Sequence, residues 1–313
     1  MDQKKAFLAY LAVFIGVLGH ASSELIAVLS GVSGPEASVW RYLLGGIGLV
    51  VVALIWRPSR NLLEPLRQDF GPIVALSLLG VTFTYLMFHW ALDFATVVQV
   101  GTIVTTVPIF VGIANLLINR VPLGTTKIIS AAAAVIGIIL LATDGYLARL
   151  AGQEGQLIGI GMVTLCAFFG GSYAILAKPY IAKYGAIRLT AVSLMIGGIG
   201  LWIVVGLFFG IWVDPATIMD RPSGQAAALL TLGFWNTTVT MLLWLGGLAA
   251  VPDITRGSYL FFLKPVLTAM LAFFFLSQPI TTMQIIAIAV ILGAVSLEMT
   301  WSRLSGRWVT QAR

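Results

Sequence analysis

Ten continuous apolar stretches limit what this chain can fold into more than anything else in it, each being about as long as a helix needs to cross roughly 30 Å of hydrocarbon at 1.5 Å per residue. They run over 6–29, 37–56, 71–92, 95–118, 126–143, 156–177, 187–212, 226–250, 254–276 and 281–301. Inside a bilayer no water is present to satisfy backbone amides, so a spanning segment is either a helix or a strand of a closed barrel. A barrel strand alternates apolar and polar residues over about ten positions, and these runs do not alternate. The connections are short: Gly31 to Pro35, Arg57 to Phe70, Arg120 to Thr125, Asp144 to Gln156, Asp214 to Gly224 and the turn at Gln278-Pro279. None holds a soluble domain. The fold class expected is an all-α integral membrane protein with ten transmembrane helices.

Composition agrees. Of 313 residues 59% are hydrophobic and only 10% charged, with a mean hydropathy of +1.00, against about 25% charged in an ordinary soluble domain. That excludes a soluble enzyme, a nucleic-acid binder and a disordered chain. The net charge of +6 is a topology signal. With a cytoplasmic N-terminus, 14 lysines and arginines fall in inside segments and 2, Arg149 and Arg221, in outside loops, while Arg41 and Lys264 lie within spans. Short loops rich in Lys and Arg stay cytoplasmic, so both termini are expected on the cytoplasmic side of the cell inner membrane. Lys4-Lys5, an apolar run and Ala21-Ser22-Ser23 mimic a signal peptide, but the run continues to Leu29, which fits an uncleaved first helix.

One cysteine, Cys166, and two histidines leave no intrachain disulfide and too few ligands for zinc. A phosphate-binding loop, a nucleophile elbow and a metalloprotease helix are all missing from the sequence. No cofactor, metal or catalytic residue is expected. The expected partners are a small-molecule substrate and the lipid bilayer, without nucleic acid, and a monomer would suffice.

The chain repeats itself. Pro108 and Pro122 are 14 residues apart, as are Pro265 and Pro279, and the apolar flanks agree. The halves, 1–150 and 151–313, hold five spans each. Five is odd, so the second copy enters from the opposite side, and a substrate site is expected near the midplane between inverted repeats. With Val39-Trp40-Arg41-Tyr42-Leu43-Leu44 opening the second span, this arrangement resembles the drug/metabolite transporter superfamily, and within it the EamA-type ten-helix exporters. The chain departs from that family at Asn119-Arg120 and Ser277-Gln278, where Gly-Glu is common, and at Lys264, where a small or acidic residue often precedes the proline. The resemblance implies secondary export of small metabolites, with aromatic or neutral amino acids foremost.

Polar residues within spans are costly and therefore candidates for function. Apart from Glu298 near the cytoplasmic end of the tenth span, Glu24 is the one acid inside a span, and it shares a helical face with His20; the two suit proton coupling or ammonium binding, or else form a structural pair with Glu24 satisfied by Arg41. Tyr85 and His89 share a face as a wall of the cavity, or belong with Trp90 to an interfacial aromatic belt. Gln99, Thr102 and Thr106 line a polar stripe that faces substrate or packs around a kink at Pro108. Tyr259 precedes Lys264-Pro265, and the eighth span carries Trp235, Asn236, Thr240 and Trp244. Pro108 and Pro265 are candidate hinges. No acid lies within helical reach of Lys264, and Glu24 is placed nearer the outer surface, so Lys264 is expected to face a water-filled cavity and read the carboxylate of an amino acid. A sugar-phosphate or nucleotide-sugar carrier would need more than one buried cation. Neither a non-transporting sensor nor an intramembrane enzyme needs two-sided symmetry.

Overall fold

The computed structural model describes residues 3–120, 154–251 and 260–293, with isolated positions between 128 and 140 and at 296. Among the described residues every regular element is helical. Seven helices are long and apolar enough to cross a membrane: α1 (Gln3–Leu29), α2 (Gly34–Ile55), α3 (Phe70–Ala91), α4 (97–119), α5 (Glu154–Tyr184), α6 (Ala186–Phe209) and α7 (223–250). Two shorter apolar helices follow, α8 (260–276) and α9 (Thr282–Gly293). Most of the sequence stretch at 126–143 lies outside the described residues, as do Tyr259 and the end of the tenth stretch. The exterior is apolar, with Leu207, Phe208, Phe274 and Phe275 exposed, as a lipid-facing surface must be.

Contacts at the two ends of the bundle fix the helix directions. At one end the Gly34 N–H donates to Asp93 Oδ1 at 2.8 Å, and Arg221 pairs with Glu36 at 2.6 Å. At the other, Lys183 pairs with Asp69 at 2.7 Å and Arg188 with Glu64. Hence α1, α3 and α6 run one way, and α2, α4, α5 and α7 the other. Leu260 packs near Ala9 and Val13 while Leu276 packs near Val97 and Val98, so α8 runs with α1. Helix α5 outlasts its apolar stretch because its last turns have a protein partner: Ala177 and Tyr184 pack with Ile73, Leu189 and Val192.

Four helices are irregular. A π-helical segment interrupts α3 at Leu78–Phe83 and α7 at Thr231–Val239. The wider turn leaves carbonyls for hydroxyls to satisfy, and Thr84, Thr237 and Thr240 each donate five residues back, to Leu79, Leu232 and Trp235. A 3₁₀ turn interrupts α4 at Val104–Thr106 and α8 at Leu260–Leu263. In both, an α-helix follows at once with proline as its second residue, Pro108 in Val107–Asn119 and Pro265 in Lys264–Leu276. Proline has no N–H to donate and is tolerated in a first helical turn.

Small residues bring α1 onto α7. A Cβ on Gly19 would lie 2.0 Å from Thr240 Oγ1, and one on Gly16 would lie 3.0 Å from the Trp244 nitrogen. That approach carries Asn236 and the π segment up to α1 and α2.

Candidate functional site

Helix α2 delivers Arg41 into the bundle, where the π segment of α7 and the last turns of α3 meet it. Arg41 Nε donates to Thr237 Oγ1 at 3.1 Å and Nη2 to the Asn236 carbonyl at 3.2 Å. Its Nη1 lies 3.2 Å from His89 Nε2, and His89 Nδ1 lies 3.0 Å from the Tyr85 carbonyl. A carbonyl only accepts and a guanidinium only donates, so the proton sits on Nδ1 and the imidazole is neutral. The guanidinium also lies 5.3 Å from the Tyr42 ring centroid and 6.0 Å from that of Phe88, and the Tyr42 and Tyr85 rings stack at 4.2 Å.

Helices α1 and α8 supply the second charged group. Lys264 Nζ donates to Glu24 Oε1 at 2.5 Å, and Ser23 Oγ donates to Glu24 Oε2 at 3.0 Å. This corrects two expectations. Lys264 does not wait alone for a substrate carboxylate, because Glu24 reaches it from the neighbouring helix. Glu24 is satisfied by Lys264 and not by Arg41. The pair joins residues 240 positions apart in sequence, beyond any argument from spacing along one helix. Both cations flank one ring, Lys264 Nζ standing 5.7 Å from the Phe88 centroid. Exposure is 0% for Glu24 and His89, 3% for Lys264 and 4% for Arg41, so these groups are shut off from water.

The other candidates divide. His20 shares the α1 face with Glu24 but meets the Trp244 and Phe261 rings edge-on, at 6.0 and 5.7 Å. Asn236 is fully buried and its Nδ2 donates to the Gly19 carbonyl at 2.6 Å and to Ser22 Oγ at 2.8 Å. Its Oδ1 is buried with no hydrogen-bond partner among the described residues. Trp235 is half-buried, and its carbonyl accepts from Thr240 at 2.7 Å. Gln99 closes the start of α4: its Oε1 accepts from the Thr96 N–H at 2.9 Å, and its own N–H donates to Thr96 Oγ1. Thr102 and Thr106 are buried but turn their hydroxyls onto their own helix, to Val98 and Ile103. The α4 stripe is thus capped and packed, against α8, where a Cβ on Gly101 would lie 2.5 Å from Thr268 Cγ2. Trp90 is half-buried and meets Phe209 edge-on at 4.8 Å. Pro265 is buried at the start of the Lys264 helix.

Sequence reasoning missed Arg41 as a site residue, and with it Thr237, Ser23 and the Asn236 carbonyl. The signal available was the polar run Asn236-Thr237-Thr238 inside an apolar span, a costly placement unless a partner reaches it.

The fold is that of a multi-pass helical membrane protein with charged side chains enclosed between its helices. The chain belongs to the EamA-like transporter family, whose model matches residues 4–143 and 157–300. It is similar to "Uncharacterized transporter YyaM" of Bacillus subtilis (strain 168), 23% identical over 92% of this chain and 94% of that one. An "Uncharacterized transporter" of Clostridium kluyveri is 22% identical over 94% of this chain and 93% of its own length. A solved crystal structure shares the fold at a TM-score of 0.63 with 18% identity, covering 94% of this chain and 97% of that one.

Proposed function

We propose that the chain is a secondary transporter of the cell inner membrane that exports small metabolites, foremost aromatic or neutral amino acids, by alternating access. Its halves, 1–150 and 151–313, act as inverted five-helix repeats within a ten-helix bundle whose termini are both cytoplasmic. Four observations support the repeat. The family model matches once in each half; α1 to α4 run opposite to α5 to α8, taken pairwise; π segments fall in α3 and α7; and 3₁₀ turns before a proline-opened helix fall in α4 and α8.

The observation that carries the transport reading is the enclosed cluster of Arg41, Glu24 and Lys264. Ionisable groups this deep are expensive and mark a substrate or ion path. They lie beside the broken helix α8 and the π-distorted helix α7, where the backbone can adjust with little cost. To load, the bundle opens at one end and keeps the other shut. The two ends carry separate latches, Glu36–Arg221 with Asp93–Gly34 at one and Asp69–Lys183 with Glu64–Arg188 at the other. Glu24 offsets Lys264, which leaves a net charge of one positive unit at Arg41. That suits a carboxylate or a zwitterion better than a doubly charged phosphate, so the sugar-phosphate alternative loses ground.

The test is counterflow. Purified protein in liposomes preloaded with an unlabelled amino acid should accumulate the radiolabelled one outside-to-inside, and empty liposomes should not. Absence of counterflow for all neutral and aromatic amino acids would remove that substrate class.

A further inference from the structure

The geometry points to Arg41 as the group that binds the carboxylate of the transported molecule, an inference that rests on the transport reading. The guanidinium has five N–H donors. Three are engaged, by Thr237 Oγ1, the Asn236 carbonyl and His89 Nε2, and two remain. All three acceptors are neutral. The nearby acids are committed elsewhere: Glu24 to Lys264 and Ser23, Glu36 to Arg221 and the Trp40 indole, Asp93 to the Gly34 N–H.

Arg41 is therefore a buried cation with no carboxylate among the described residues. Its neighbour across Phe88 shows the usual solution, since Lys264 at a similar depth has an acid of its own. Leaving a buried charge without its counter-ion is costly, and a structural arginine gains nothing from it. A guanidinium fork with two free N–H groups matches a carboxylate in charge and in shape. Asn236 adds the second observation. The residue whose backbone holds Arg41 has a fully buried side-chain Oδ1 without a donor among the described residues. An anion missing at Arg41 and an N–H donor missing at Asn236 Oδ1, on the residue whose carbonyl holds Arg41, together fit an α-amino acid: its carboxylate on Arg41, its ammonium on Asn236 Oδ1. Lys264 is thereby relieved of the carboxylate and acts by holding Glu24.

Three probes test this on purified full-length protein, with binding read from quenching of tryptophan fluorescence: L-phenylalanine, 3-phenylpropionate and L-phenylalaninamide. The wild type should bind at least one of the two acids about 30-fold more tightly than the amide, and Arg41→Gln should lose a similar factor for the acids alone. Arg41→Lys, which keeps the charge and loses the fork, should fall between. If Arg41→Gln fails to fold, the acid-to-amide ratio of the wild type decides. Equal binding of acid and amide by the wild type, acid binding by Arg41→Gln that matches the wild type, or binding of neither acid would overturn the assignment. Phenylpropionate bound without phenylalanine would sink the amino-acid reading and leave Arg41 standing. Phenylalanine and its amide bound equally, with 3-phenylpropionate bound no more tightly than either, would do the reverse.

Discussion

Consider Glu24→Gln. The substitution is nearly isosteric and keeps a carbonyl oxygen to accept from Lys264, with its amide N–H turned to Ser23 Oγ, but it removes the negative charge beside an ammonium that is 3% exposed. Breaking a buried ion pair by removing one partner costs about 3–5 kcal/mol, because the remaining charge stays buried uncompensated. Lys264→Met strands the carboxylate in the same way and should cost a comparable amount. The double variant Glu24→Gln/Lys264→Met strands neither. It should be more stable than either single variant, so the coupling energy exceeds the cost of one single variant, about 3–5 kcal/mol, well above the ~0.2–1 kcal/mol of an exposed pair. Denaturant or thermal unfolding of the four proteins in one detergent gives the cycle, and counterflow should be lost in all three variants. Additive costs, with the double variant as unstable as the two singles summed, would show that the pair does not form.

Further expectations concern the backbone, the packing and the loops. Pro108→Ala and Pro265→Ala should slow counterflow while leaving folded protein in the membrane; unchanged rates in both would reduce the prolines to packing features. Gly19→Ala, whose Cβ would fall 2.0 Å from Thr240 Oγ1, should cost about 1–3 kcal/mol, whereas Gly161→Ala, with nothing within 4 Å, should gain about 0.5–1 kcal/mol by helix propensity, both read as unfolding midpoints. Two loop acids should respond to pH with opposite sign. Bonds from Lys183 and Tyr184 hold Asp69 below the usual carboxylate range, so its contribution is present above about pH 4 and fades as pH falls through its lowered value. Burial pushes Asp93 up against the pull of the Gly34 N–H, so its contribution is present at acid pH and is lost as pH rises through its raised value. Asp69→Asn should therefore destabilise at pH 7, and Asp93→Asn should be neutral or stabilising there, with both differences shrinking on acidification.

Hydropathy made the spans legible because lipid imposes one rule on every residue of a run, and the starts and ends of α1, α2, α3 and α6 fall within a few residues of expectation. The prolines were legible for a similar reason, since a missing donor acts locally. Charge partnership was not. Lys264 stood out as a buried cation, yet its acid sits on a helix 240 residues away. Arg41 read as the opening of a span because depth counted along one helix ignores what α7 brings beside it. The π segment that places Asn236 and Thr237 there has no counterpart in the apolar pattern. The threonines of α4 looked like a binding stripe for the opposite reason: spacing shows a shared face but cannot tell a hydroxyl turned outward from one bonded to its own carbonyls.

The central claim is that one closed site opens in turn to each side of the membrane. Thr268, fully buried on α8 and bonded to the Ala21 carbonyl at 3.2 Å, reports on it directly. With Cys166 replaced by alanine, Thr268→Cys should react with a membrane-impermeant thiol reagent added from either side of oriented vesicles, and L-phenylalanine should change both rates. Reaction from one side alone, in protein that still carries out counterflow, would contradict alternating access at this site.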